Sequence, residues 1–177
     1  TFTRLIRTLQ QEPREALSLN AAWTEALSGG GRVPDGAGKR FARRGPEAGG
    51  PLVAVPGPAL TYLLDNLSEN ALDLASPEVP IVWSTSNTGA LGVLRLTLAS
   101  LQEDAPPVSK VLERFYPEPG AICQPRLAQR GLGLAAARYV AAAVGGDLTA
   151  ETGENGALAL TLTLPEGGKV VRSPDGG

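Results

Sequence analysis

Residues Pro58 to Ala75 are the one long stretch of this chain that reads as a single uninterrupted element. Leu60, Leu63, Leu64, Leu67, Ala71 and Leu74 recur at three- and four-residue steps, the apolar stripe of an amphipathic helix. Pro58 suits the first turn, where its missing N–H costs nothing, and Pro77 and Pro80 end the run. A helix with one buried face needs a second layer to bury it against. Elsewhere the chain is broken by 22 Gly and 15 Pro, so the partner layer has to be built from short pieces.

Those pieces read mostly as strands. Ile81–Ser86 and Leu91–Ala99 flank an Asn87–Ala90 turn, a hairpin pattern. Asp147–Glu151 and Ala157–Leu164 flank a second turn, and Leu158, Leu160, Leu162 and Leu164 alternate as a strand with one buried face does. Leu52–Val55 is a short strand, and Lys39–Arg44 a short edge strand whose charges are most simply a solvated face. Leu134–Val144 is an Ala-rich helix stopped by Gly145-Gly146. Residues 1–28 read as helix interrupted at Pro13, with Ser18 or Asn20 capping the second stretch. The expected fold class is α+β, a two-layer sandwich of a mixed sheet with helices on one face. The expected organisation is a helical segment over 1–28, a domain over 29–165 and a flexible tail over 166–177.

Composition removes whole classes of function. The chain has no His, which excludes a Ser-His-Asp triad, a zincin site and a phospho-accepting histidine within these residues. Its single Cys, Cys123, excludes an internal disulfide and has no His to activate it. A net charge of −2 argues against nucleic acid as a partner. No run of ~18 apolar residues marks a membrane span. With no signal peptide at Thr1, the expected location is cytoplasmic.

Three features carry possible chemistry. Asn66, Asn70 and Asp73, at offsets of four and seven, share one helix face at the edge of the leucine stripe. An amide oxygen there can ligate a hard cation, although asparagines facing solvent or bonding a loop fit the same spacing. Arg130, Gly131, Leu132 and Gly133 precede a helix, where glycines let a phosphate approach N–H donors. A ligand-free connector has the same composition. Residues 117–130 form a long irregular loop with Arg126 and Arg130, placed as a lid would be.

Taken in order, these stretches resemble a known family. LLDNLSENALDLA (63–75) is similar to the Asn-rich box of the ATP-binding catalytic domain of sensor histidine kinases. LERFYPEP (112–119) is similar to its phenylalanine box, QRGLGLAAARYVAAAVGGDLTAE (129–151) to its second glycine box, and ALALTLTLP (157–165) to its closing strand. The resemblance spans residues 52–165 and implies the Bergerat-type fold shared with gyrase and the heat-shock and mismatch-repair ATPases. It implies ATP and Mg²⁺ as ligands, with Asn70 on the metal, Asn66 facing the phosphates, and Gly131, Leu132 and Gly133 closing on them. It also implies a histidine-bearing dimerisation domain and a response regulator as partners. Residues 1–11 are then expected to be the end of a dimerisation helix. The ATPase branches carry Glu at the place of Asn66, as base for water, so the match is to the kinase branch.

The first glycine box departs from the pattern. Where the family has Asp-x-Gly-x-Gly, this chain has Ser100, Gln102 and Asp104. Asp73 stands where a basic residue is common, and Gln129-Arg130 where Gly-Thr is expected. The expectation is a kinase catalytic module with an impaired nucleotide site and no catalytic side chain of its own. The alternative is a pseudokinase or phosphotransfer relative kept for protein contacts.

Overall fold

The computed structural model describes residues 2–30, 36–45, 50–103, 132–153 and 156–167. Four α-helices are present among them: α1 (Phe2–Gln11), α2 (Leu19–Glu25), α3 (Gly57–Leu74) and α4 (Leu132–Ala143). Seven strands accompany them: β1 (Arg14–Ser18), β2 (Phe41–Arg43), β3 (Leu52–Pro56), β4 (Ile81–Thr88), β5 (Leu91–Leu98), β6 (Asp147–Thr152) and β7 (Leu158–Pro165). β2, β4, β5, β7 and β6 form one sheet in that order, and β1 pairs with β3 in a second, smaller one. Only β2 runs parallel to its neighbour, so the large sheet is mixed.

Register explains the core. Phe41, Ile81, Leu98 and Leu158 lie across one row of the sheet, Trp83, Leu96 and Leu160 across the next, and Leu94, Leu162 and Leu148 across a third. All ten side chains are buried. They form the face on which the helices lie. α3 adds Leu60, Leu63, Leu67, Ala71 and Leu74, and α4 adds Leu134, Ala137, Val140 and Ala141. α3 and α4 pack against each other, while Trp23 of α2 covers the β2 edge in edge-to-face contact with Phe41 and Trp83, centroids 5.6 and 6.3 Å away. The two-layer α+β arrangement expected from the pattern is the one found.

Several local readings change. Residues 1–28 are not helix alone: Arg14–Ser18 form β1, antiparallel to β3. Leu9, Leu19 and Trp23 belong to the same core as the sheet. Ser18 does cap α2, its side chain accepting from the Ala21 N–H at 3.1 Å. β3 leaves the main sheet and crosses β5 so closely that a Cβ on Gly92 would lie 2.7 Å from Val53. Only a glycine permits that approach. Glu166 and Gly167, read as tail, instead pair with Val53 and Leu52 of β3. The Ala-rich helix begins at Leu132 rather than Leu134, which puts Gly133 inside it. It ends as expected: Gly145 takes a φ of 93°, and the Gly146 N–H donates to the Ala141 carbonyl at 2.8 Å.

Candidate functional site

α3 carries three buried polar side chains, Asn66, Ser68 and Asn70. Burial of polar groups is tolerated where each finds a partner. Ser68 donates to the Asp65 carbonyl at 3.1 Å. Asn66 donates its amide to the Tyr62 carbonyl at 2.9 Å, and Asn70 to the Asn66 carbonyl at 2.7 Å. Each asparagine thus ties its N–H₂ one turn back along its own helix. That choice fixes the amide orientation, because an oxygen facing a carbonyl would be repelled. The Oδ1 atoms are the ends left over.

For Asn70 this has a consequence. The residue is 0% exposed, and its Oδ1 has no hydrogen-bond partner among the described residues. An orphaned buried acceptor costs about 1–3 kcal/mol. α3 does not need that oxygen for its own stability, so its retention fits a ligand that arrives from outside. A magnesium–nucleotide fits it: Mg²⁺ takes oxygen donors, keeps several waters, and is usually held by only one or two protein groups plus phosphates. No group of three or more His, Cys, Asp or Glu able to hold a metal exists among the described residues.

Asp73 lies one turn beyond Asn70 on α3 and is half-buried. Leu132 and Gly133 open α4, which packs along α3. Arg130, Gly131, Cys123, the phenylalanine-box stretch and the lid-like loop 117–130 lie outside the described residues.

The stretch in the first glycine-box position is described up to Glu103, and it is strapped across the C-terminal end of α3. The Gln102 side chain donates to the Asp73 carbonyl at 2.9 Å, and its backbone N–H donates to the Leu74 carbonyl at 2.9 Å. The Ser76 N–H donates to the Ser100 carbonyl at 2.8 Å. The Ser76 hydroxyl donates to the Leu101 carbonyl at 2.9 Å and lies 3.0 Å from the Ser100 hydroxyl. A serine has one proton to give, so Ser100 is the donor in that pair and its oxygen keeps only acceptor capacity. Sequence reasoning singled out Ser100 and Gln102 by their place in the glycine-box stretch and missed Ser76, which has no periodic pattern to mark it.

No protein-family model and no curated protein matches this chain. Solved structures do. The mycobacterial sensor histidine kinase MprB superposes with a TM-score of 0.59 at 20% identity, covering 86% of this chain and 97% of that one. The catalytic domain of the histidine kinase ThkA gives 0.58 at 18%, with the same coverages. The Acinetobacter baumannii histidine kinase AdeS gives 0.57 at 13%, covering 94% of this chain and 75% of its own. No helix of the described residues is long and apolar enough to cross a membrane. The chain therefore has the fold of the ATP-binding domain of sensor histidine kinases.

Proposed function

We propose that this chain is the ATP-binding catalytic module of a bacterial two-component sensor histidine kinase, with a nucleotide site weakened at its base end. The observation that carries the reading is the buried, unpaired Oδ1 of Asn70 on α3. Asn70 would hold the Mg²⁺ and Asn66 would face the phosphates. Backbone N–H groups at the start of α4 would offer donors to the same anion. Bound magnesium supplies charge neutralisation for phosphoryl transfer.

The chain's own residues then bind and orient the nucleotide. None of them is a base for the attacking group: Asn66, at the position where the ATPase branches carry Glu, is an amide and cannot accept a proton. With no His in the chain, the acceptor imidazole belongs to a separate dimerisation domain, and a response regulator receives the phosphoryl group after it.

The second reading, a relative kept for protein contacts, is favoured by the strap. Ser100 stands where the family's acidic base reader stands, and its proton is committed to Ser76. Calorimetric titration with ATP and ADP, with and without Mg²⁺, separates the two. Weak, magnesium-dependent binding that Asn70→Ala abolishes supports the kinase reading. Absence of binding at millimolar nucleotide supports the second. Binding that survives Asn70→Ala unchanged overturns the role given to that residue.

A further inference from the structure

Gln102 is held at the end of the helix face that bears Asn66 and Asn70. Its Nε2 donates to the Asp73 carbonyl at 2.9 Å, and Asp73 follows Asn66 and Asn70 on that face at offsets of seven and three. The main chain beneath the side chain is fixed as well. The Gln102 backbone N–H donates to the Leu74 carbonyl, and Ser76 bonds the carbonyls of the two preceding residues, Ser100 and Leu101.

The bond to Asp73 decides which end of the amide is offered outward. An oxygen facing that carbonyl would be repelled, so Nε2 takes the place and Oε1 is the end left over. Gln102 is exposed, and its Oε1 accepts from no described residue. Nε2 carries two protons, of which the Asp73 carbonyl takes one. What remains at the end of the asparagine face is a pinned, neutral acceptor with a donor beside it. Ser100 offers no such pair, because its proton goes to Ser76. The rise from Asn70 to Asp73 is about 4.5 Å, and the bonded amide extends it to the order of 10 Å. A nucleoside diphosphate with its phosphates at Asn70 bridges that span.

We infer that Gln102 selects the base of the nucleotide: Oε1 accepts from an exocyclic amino group, and the second Nε2 proton goes to the ring nitrogen beside it. This is the bidentate pairing of a glutamine amide with adenine. A purine with an oxo group in that place sets its oxygen against Oε1. The inference rests on the nucleotide reading and adds to it a specificity-determining residue, neutral and therefore weaker than a carboxylate. Gln102 stands in a glycine place of the resembled pattern, which has no side chain there at all.

The test is calorimetric titration of the whole chain with ADP and with IDP, both with Mg²⁺; their purines differ at the six-position edge. The wild type should prefer ADP by about tenfold. Gln102→Ala should bring the ratio close to one and leave the urea midpoint little changed, because the main-chain bonds of the strap stay. Gln102→Lys keeps a donor for the Asp73 carbonyl but has no acceptor. It should reverse the preference toward IDP, whose oxo group and ring nitrogen both accept. The added charge acts on both nucleotides alike and cancels in the ratio. Glu103→Gln, a change in the next residue, should leave the ratio alone. A wild-type ratio near one, a ratio that both Gln102 variants leave unchanged, or a ratio that Glu103→Gln moves instead overturns the inference. If both nucleotides still bind and Asn70→Ala abolishes that binding, the nucleotide reading survives the loss. Failure of both to bind at about 10 mM overturns the two together.

Discussion

The Asn70 side-chain amide donates to the Asn66 carbonyl at 2.7 Å, so the helix anchors one end of the amide and leaves the other buried without a described partner. Removing the side chain deletes both a satisfied donor and an orphaned acceptor. The loss of packing and the relief of the orphan oppose each other. Asn70→Ala should therefore change unfolding free energy by no more than about 1 kcal/mol, while abolishing magnesium-dependent nucleotide binding. Urea denaturation beside calorimetry measures both. A large loss of stability would mean that the oxygen has a structural partner.

Arg14 joins three elements. From β1, its Nη1 donates to the Ala54 carbonyl of β3 at 2.9 Å and to the Val144 carbonyl just after α4 at 3.0 Å. Gln10 adds a bond to the Ala143 carbonyl at 3.2 Å. A cation at a helix C-terminus is favoured by the dipole as well as by the hydrogen bonds. Arg14→Ala should cost about 1–2 kcal/mol. Arg14→Lys should recover most of it, because both bonds leave one nitrogen, Nη1, and an ammonium has three protons to offer two carbonyls. Denaturant midpoints for the three proteins check the order.

Trp23 is fully buried, yet its indole N–H has no partner among the described residues. Its contribution is packing against Phe41 and Trp83. Trp23→Phe should then lose only volume, about 1–2 kcal/mol, while Trp23→Ala should lose about 3–5 kcal/mol. Equal losses from the two variants would show that the N–H matters more than the ring.

What could be read in advance follows from how local each signal is. α3 was legible because its leucine stripe and Pro58 act within one helix, and β4–β5 and β6–β7 because each hairpin pairs neighbours in sequence. β1 was not: Arg14–Ser18 has no alternating apolar pattern, and its strand conformation comes from pairing with Leu52–Pro56 far along the chain. The strand order β2-β4-β5-β7-β6 is likewise a long-range property. In the candidate site, Asn66 and Asn70 stood out by spacing, since helical geometry alone puts them on one face. That their oxygens are spare, and that Ser76 and Gln102 strap the end of α3, depends on hydrogen bonds between segments more than twenty residues apart.

The strap also yields the sharpest prediction about specificity. Ser100 donates to Ser76, so its oxygen remains a neutral acceptor in the place where the resembled family has a carboxylate. Ser100→Asp would convert that acceptor into a charged one. The Ser76 hydroxyl can turn to the new carboxylate by giving up the Leu101 carbonyl, and the Ser76 N–H and Gln102 bonds still hold the strap. A charge-assisted hydrogen bond to a donor group is worth ~1.5–3 kcal/mol, and that is roughly ten- to a hundredfold in affinity. If the base of the nucleotide reaches this position, Ser100→Asp should raise the preference for ADP over GDP by about that factor, because adenine offers an amino group where guanine offers a carbonyl. Paired calorimetric titrations of the two nucleotides against both proteins measure it. An unchanged ratio would place the base elsewhere and leave Ser100 with a purely structural role at the end of α3.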